Sequence, residues 1–258
     1  MRRRGNLLVN DLLRTVGLRL IRVAPATERK WFYPTVPTCQ IPTLSHLFER
    51  FFGKRTVGMF VEIGAFDGFT YSNTWGLAER GWDGLLVEPI PELAAKCREN
   101  HQLHSGVSIA QTAVGACNGI ASLMLAGELT TANRAQAAEY LTTPWARSLV
   151  TNASIEVPMT TLDSLLVESR IPAKFDLLVV DVEGYEGAVF AGFELTRWLP
   201  KMLIVELADT HPDLSLTASD DARLSTEIQA TGYRIVYKDA INTVFIHEEL
   251  FCSTYGCF

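Results

Sequence analysis

Acidic side chains and glycines cluster where apolar runs end in this chain, and those are the residues whose types and spacing could do chemistry. The run at 57–63 closes with Glu62 and passes into Gly64, Ala65, Asp67 and Gly68. The run at 84–88 closes with Glu88 and Pro89, and the run at 175–182 passes into Asp181, Glu183, Gly184 and Glu186. Carboxylates in such places can accept hydrogen bonds from ribose hydroxyls, hold a cation or take a proton from a reacting hydroxyl. Glycine at the first turn lets the main chain bend sharply and come close to a ligand. Gly64 and Gly68 taken alone fit an ordinary turn between strand and helix equally well.

Charge narrows the ligand. A dinucleotide turn would need glycine at 64, 66 and 69, but Phe66 and Phe69 stand at the last two positions, and no Walker A stretch occurs. Glu62, Asp67 and Glu88 would repel a pyrophosphate in a partly buried cleft. They suit a positively charged, phosphate-free nucleoside such as S-adenosylmethionine, which carries a sulfonium and an ammonium. Glu88 lies about twenty residues past the glycine turn, the spacing at which an acid meets a ribose in doubly wound folds.

These residues need a scaffold that brings strand ends together. The runs at 57–63 and 175–182 are apolar without clean alternation, as expected of strands covered on both faces. A helix over 44–52, with Leu44, Leu47, Phe48, Phe51 and Phe52 at helical spacing, leads into the first strand. A crossover helix is expected over 72–80, whose first turn could seat the carboxylate of the cofactor, with Ser72 either adding a hydroxyl or serving as a cap. Pro91 and Glu92 open the next helix, over 91–100.

A third strand is expected over 107–114, with the small Ala113 after it giving room for an adenine ring. A short strand follows over 121–125, and a helix over 162–168. A further strand over 202–207 ends near Glu206, and a hairpin over 232–237 and 242–247 completes the sheet. Residues 252–258 read as a tail. The alternation predicts an α/β, doubly wound, mostly parallel sheet with an antiparallel hairpin at its end. Residues 127–158 are not required by it, so they read as an insertion of the kind that often covers a site, and they bring Arg134, Tyr140, Trp145 and Arg147.

The order VEIGAFDG, SNT, VEP, TTLDSLL and FDLLVVDVEGYE resembles the FkbM-type S-adenosylmethionine-dependent methyltransferases, over about residues 60–247. The resemblance implies a seven-stranded class I methyltransferase fold and methylation of an oxygen on a sugar, glycan or natural-product acceptor. It departs from the family where Val179 replaces a lysine common in this motif, so no role of that lysine is carried over. Phe66 stands where asparagine is usual.

The cofactor set expected from this reading is Glu62, Gly64, Ala65, Asp67, Gly68, Ser72, Glu88, Pro89, Ala113 and Asp181. Glu183 and His211 are the candidate bases for removing a hydroxyl proton. Asp181, Glu183 and Glu206 could offer hard oxygen ligands to a divalent metal, but no spacing dictates one, and none is expected. Asp181 and Glu183 could also be caps for the helix that follows.

Hydrophobic residues at 48% are enough for a full core. The net charge of −6, with no dense basic run past Arg4, leaves no footprint for nucleic acid. Five cysteines without a CxxC pair suit a reducing, cytoplasmic setting. Residues 1–23 read as a basic amphipathic helix interrupted by Asp11, Arg14, Arg19 and Arg22, too broken to span a bilayer. It fits either packing on the catalytic domain or resting on the inner face of a membrane. A proline-rich connector follows, so the expected domains are 1–43 and 44–258. Two other classes compete: a nicotinamide oxidoreductase, disfavoured by the missing phosphate turn, and a catalytically silent Rossmann-like scaffold.

Overall fold

Strands whose residues alternate between two buried faces set the architecture. A computed structural model describes residues 33–151 and 153–255. The main sheet has the order β3-β2-β1-β7-β8-β10-β9, built from β1 (Met59–Ile63), β2 (Asp83–Val87), β3 (Val107–Ala110), β7 (Leu177–Val180), β8 (Met202–Glu206), β9 (Tyr233–Lys238) and β10 (Asn242–His247). All neighbours are parallel except β10, which runs antiparallel to both β8 and β9. This is the doubly wound, mostly parallel sheet expected from the sequence, antiparallel hairpin included.

Odd-numbered residues of β1 and β2, Val61, Ile63, Leu85 and Val87, face one core together with Leu178, Val180, Leu203 and Val205. Phe60, Leu86, Leu177, Val179, Met202 and Ile204 face the other. The strict period of two means that each strand buries both faces, which is why no polar alternation is visible in the sequence. Helices Leu162–Glu168 and Ala218–Ala230 cover the first face through Leu162, Leu165, Leu166, Leu224 and Ile228. Helix Leu44–Phe52 covers the second through Leu44, Phe48, Phe51 and Phe52, beside Trp82.

Four local departures from the sequence expectation have physical causes. The first crossover helix spans only Trp75–Ala78, because the Asn73 N–H and the Ser72 and Thr74 hydroxyls donate to the buried Glu62 carboxylate instead of supporting a helical turn. The expected third strand divides. β3 stays in the main sheet, while β4 (Ala113–Val114) joins β5 (Gly119–Met124) and β6 (Ser154–Thr160) in a small sheet of order β4-β6-β5. The expected tail is in part helix, Glu248–Tyr255. Finally, Tyr33, Val36 and Ile41 are buried, so packing begins upstream of the boundary at 43/44. The helix expected over 1–23 lies outside the described residues. Among the described residues no helix is long and apolar enough to cross a membrane.

The end of the sheet away from the acidic tips is tied by one carboxylate. Asp176 is only 4% exposed. It takes a two-pronged hydrogen bond from Arg55, at 2.6 and 3.1 Å, one from Lys201 at 2.7 Å and one from the Met59 N–H at 3.0 Å. Burial works to raise its pKa, but the Arg55 and Lys201 hydrogen bonds prevail and hold it below the usual range. Its contribution to stability is therefore present above the ordinary carboxylate pKa and lost as pH falls through the lowered one. Asp176→Ala should destabilise the fold by about 2 kcal/mol, less than a fully buried pair costs because Arg55 and Lys201 are 41% and 38% exposed and screened. Chemical denaturation at neutral pH measures it; an unchanged midpoint would remove Asp176 from this role.

Candidate functional site

A cavity of about 430 Å³ opens at the carboxyl ends of β1, β2, β7 and β8, within the size range of small-molecule sites. Its position is dictated by backbone geometry. Gly64 adopts φ +86°, and a Cβ there would overlap the Asp181 main-chain carbonyl oxygen. Only glycine lets the turn after β1 lie against the tip of β7. The Gly64 and Ala65 N–H groups both donate to the Val87 carbonyl, and the Asp181 N–H donates to Ile63, so three strand ends are tied to each other at the cavity floor.

The turn beyond Gly64 is held from the side by the Pro91–Asn100 helix and the residue after it. Cys97 Sγ donates to the Phe66 carbonyl at 3.0 Å and Asn100 Nδ2 to the Asp67 carbonyl at 2.8 Å, while His101 Nε2 lies 2.8 Å from the Gly68 carbonyl. Positions i, i+3 and i+4 share a helix face, so consecutive turn carbonyls meet partners from one face. Sequence reasoning missed these three residues. The available signal was polar residues at that spacing on a helix predicted to pack beside a glycine turn. The grip sustains an unfavourable conformation: Phe66 has φ +53°, a left-handed region that asparagine enters more readily than phenylalanine.

Of the expected cofactor residues, Glu62, Gly64, Ala65, Ser72, Glu88, Pro89, Ala113 and Asp181 line the cavity, as does Glu183. Their side chains are engaged in different ways. Glu62 receives Ser72, Asn73 and Thr74, and the Ser72 hydroxyl in turn accepts from the Thr74 and Trp75 N–H groups just ahead of the short helix, whose N-cap is Thr74. Glu88 accepts the Phe66 N–H at 3.0 Å and the Ile90 N–H at 2.8 Å. Burial pushes both Glu62 and Glu88 up to about 7, against the hydrogen bonds that favour their charged forms.

Three expected residues stand elsewhere. Asp67 is outside the cavity lining and turns inward on its own loop, accepting the Phe69 and Thr70 N–H groups and the Thr70 hydroxyl. Gly68 is also outside the lining; its φ of +77° and the closeness of His101 and Cys97 give it a packing role. His211 does not line the cavity either. Its Nδ1 accepts the Asp213 and Leu214 N–H groups, and its ring lies against Trp145, 6.0 Å between centroids. The hydrogen bonds at Nδ1 tie the imidazole into its own loop, outside the cavity lining.

At the tips of β7 and β8, Asp181, Glu183 and Glu206 each offer an oxygen within 4.8 Å of the others. The cavity exposes part of each residue, but the surrounding protein still desolvates the charges. Burial raises all three pKa values; the Asp181 charge adds to the rise at Glu183, and those of Glu183 and Asp181 add to it at Glu206. Glu183 has φ +56° and its Oε2 accepts from the Tyr140 hydroxyl at 2.6 Å. Tyr140 comes from helix Arg134–Thr142 of the insertion, which also supplies Glu139 to the N–H groups of Ser215 and Leu216. Trp145, 46% exposed, adds an indole to the cavity wall with its Nε1 donating to Asp213. Arg134 and Arg147 are exposed and outside the lining. Glu186 reaches back to the Val182 N–H at 2.8 Å, so its role is at the helix start.

Comparison with known proteins follows this geometry. The family model described as Methyltransferase FkbM domain matches residues 62–235, more than half of the chain. Among solved structures, the chain is similar to Methyltransferase FkbM from Methylobacillus flagellatus KT, with 13% identity and a TM-score of 0.46, over 74% of this chain and 44% of that one. The chain therefore spans less than half the length of that protein. It is also similar to a putative O-methyltransferase from Klebsiella pneumoniae, with 14% identity and a TM-score of 0.46, over 96% and 99% of the two chains. A third is the O-methyltransferase from Bacillus cereus in complex with SAH, with 16% identity and a TM-score of 0.44, over 94% and 89%. Among curated proteins, nothing matches.

Two outcomes are expected from the site geometry. Gly64→Ala should destabilise the fold by about 1–3 kcal/mol in chemical denaturation, since Asp181 or the turn must move; an unchanged midpoint would dissociate this glycine from the packing of the strand ends. Glu62 and Glu88 hold protons in the folded state that the unfolded chain has released between pH 4.5 and 7. Their contribution is therefore fully present below pH 4.5 and declines as pH rises through about 7. Glu88→Gln should make that decline shallower in melts of the ligand-free protein, and an identical slope would contradict the assignment.

Proposed function

This chain belongs to the FkbM methyltransferase family, and from that premise we propose that it is an S-adenosylmethionine-dependent O-methyltransferase acting on a hydroxyl of a sugar, glycan or natural product. The observation that carries the reading is the chemistry of the cavity wall. Carboxylates from four strand ends face it, while none of its described lining residues is Lys, Arg or His. That wall is suited to a positively charged nucleoside and unsuited to a phosphate.

The residues present fit the cofactor. Gly64 and Ala65 leave bare main chain at the turn, Glu88 has acceptor capacity beyond its two N–H partners for ribose hydroxyls, and Ala113 and Pro89 are small enough to flank a base. Asp181 and Glu62 put negative charge near the same floor. When bound, S-adenosylmethionine supplies an electrophilic methyl group on a sulfonium.

The chain's own part is to place a hydroxyl, exclude water and receive a proton. Glu183 is the base in this reading. Tyr140 holds Oε2, leaving Oε1 for the acceptor hydroxyl, and the raised pKa gives the carboxylate more basicity than a solvated one. A cationic ligand in the cavity favours the charged form of Glu183 and so prepares it to take that proton. Trp145, at the rim, offers a flat face to the carbon skeleton of the acceptor.

Transfer of a labelled methyl group to panels of sugars and hydroxylated natural products tests the proposal, alongside calorimetry with S-adenosylmethionine and NAD. Binding of the former alone and labelling at oxygen are expected. Glu183→Gln should lower kcat by about 10²–10⁴ with cofactor affinity changed only a few-fold. NAD binding, or full turnover by Glu183→Gln, would overturn the respective part.

A further inference from the structure

We infer that His101 and His104 hold one proton more than two neutral imidazoles own, and that through it Glu79 positions the glycine turn beside the cavity. None of these three residues lines the cavity, so the inference concerns the turn itself, whatever ligand the cavity takes. Four ring nitrogens stand in one line of contacts. His101 Nε2 is 2.8 Å from the Gly68 carbonyl oxygen, the two Nδ1 atoms are 3.0 Å apart, and His104 Nε2 is 3.5 Å from Glu79 Oε1.

Hydrogen-bond chemistry fixes the number of protons on this line. A carbonyl oxygen only accepts, so His101 Nε2 carries a hydrogen. Of two nitrogens 3.0 Å apart, one donates and the other accepts. An ionised carboxylate only accepts, so His104 Nε2 carries a hydrogen as well. That makes three protons on four nitrogens.

Burial decides which ring bears the charge. His101 is 3% exposed, whereas the His104 side chain is 12% exposed and is the one beside Glu79. Desolvation is the largest influence on His101 and lowers its pKa against the Gly68 hydrogen bond, and His104 adds to the lowering while Glu79 opposes it. His101 is therefore the neutral Nε2–H tautomer. His104 is the imidazolium, its Nδ1 donating to His101 and its Nε2 facing Glu79.

Other titratable groups on the elements around the pair are engaged elsewhere. Asp67 of the turn accepts from Phe69 and Thr70, and Cys97 of the preceding helix donates to the Phe66 carbonyl. Arg80, next to Glu79, donates to the Lys54 and Arg55 carbonyls, and Asp83 at the start of β2 lies against Gly106. Arg98 and Glu99 are exposed. The Trp75 ring, 4.9 Å from both imidazoles and 4.8 Å from Phe69, closes the group against the turn.

A change of proton count in either direction breaks the line. A fourth proton sets N–H against N–H at the Nδ1 pair. Loss of the third turns a bare His104 nitrogen toward a carboxylate. Because the Gly68 carbonyl is the last member of the line, the hold on the turn is firmest at three protons.

Long-range proton–nitrogen correlation spectra of the ¹⁵N-labelled full chain, recorded from about pH 5 to pH 8, read the tautomer and charge of each ring directly. His101 is expected as the neutral Nε2–H form wherever His104 is the imidazolium. Amide exchange of residues 66–70, corrected for its intrinsic pH dependence, should quicken at least threefold as His104 loses its proton. In Glu79→Gln, whose carboxylate is exposed in the parent, the imidazolium fraction of His104 should fall and that pH dependence should vanish. His46→Gln, which removes a 78% exposed histidine paired with Glu49, should change neither readout. An Nδ1–H or charged His101 beside a neutral His104, or turn exchange in Glu79→Gln that tracks pH as in the parent, would overturn the inference.

Discussion

The contact on which the site depends is the one between the main chain at Gly64 and the carbonyl of Asp181. A side chain at residue 64 would force the turn after β1 away from the tip of β7. Because it is absent, the acids following β1, β2, β7 and β8 share one floor. Glu88 is drawn in by the N–H groups of Phe66 and Ile90, and Glu62 by Ser72, Asn73 and Thr74. Folding thus concentrates negative charge in a place where burial resists it.

The two ends of the sheet solve the problem of a buried carboxylate in opposite ways. At the starts of β1, β7 and β8, Asp176 is neutralised inside the protein by two cations and a main-chain donor, and it joins three strands. At the other ends the acids have hydroxyl and N–H partners, and none of the described cavity-lining residues is cationic. The first arrangement belongs to the stability of the fold. The second leaves a charge deficit that a ligand can correct, which links the energetics of the sheet to the family's chemistry.

Most of the scaffold could be read from the chain because its signals are local. Apolar runs without alternation identified β1 and β7 as strands covered on both faces, and Pro91–Glu92 placed a helix start where the structure has one. The short extent of Trp75–Ala78 could not be read this way, since it depends on Glu62 competing for the N–H of Asn73 across the strand-to-helix turn. Asp67 and Gly68 looked like ligand contacts because they sit in the glycine turn, yet the turn folds them away from the cavity toward Thr70 and His101. His211 looked like a base from its residue type, but its own loop occupies Nδ1. Contacts between residues distant in sequence, such as Tyr140 with Glu183, have no periodicity to announce them.

The grip of the Pro91–Asn100 helix on the glycine turn has a practical consequence through Cys97. Its thiol is fully enclosed, gives its hydrogen to the Phe66 carbonyl, and is pushed by burial up to about 12. At neutral pH it is almost wholly uncharged and so inert toward alkylating reagents. Modification of this sulfur can proceed only when the helix lifts away from residues 66–68. The pace of that labelling would then be a clock for spontaneous opening of the glycine turn beside the cavity, readable without any substrate.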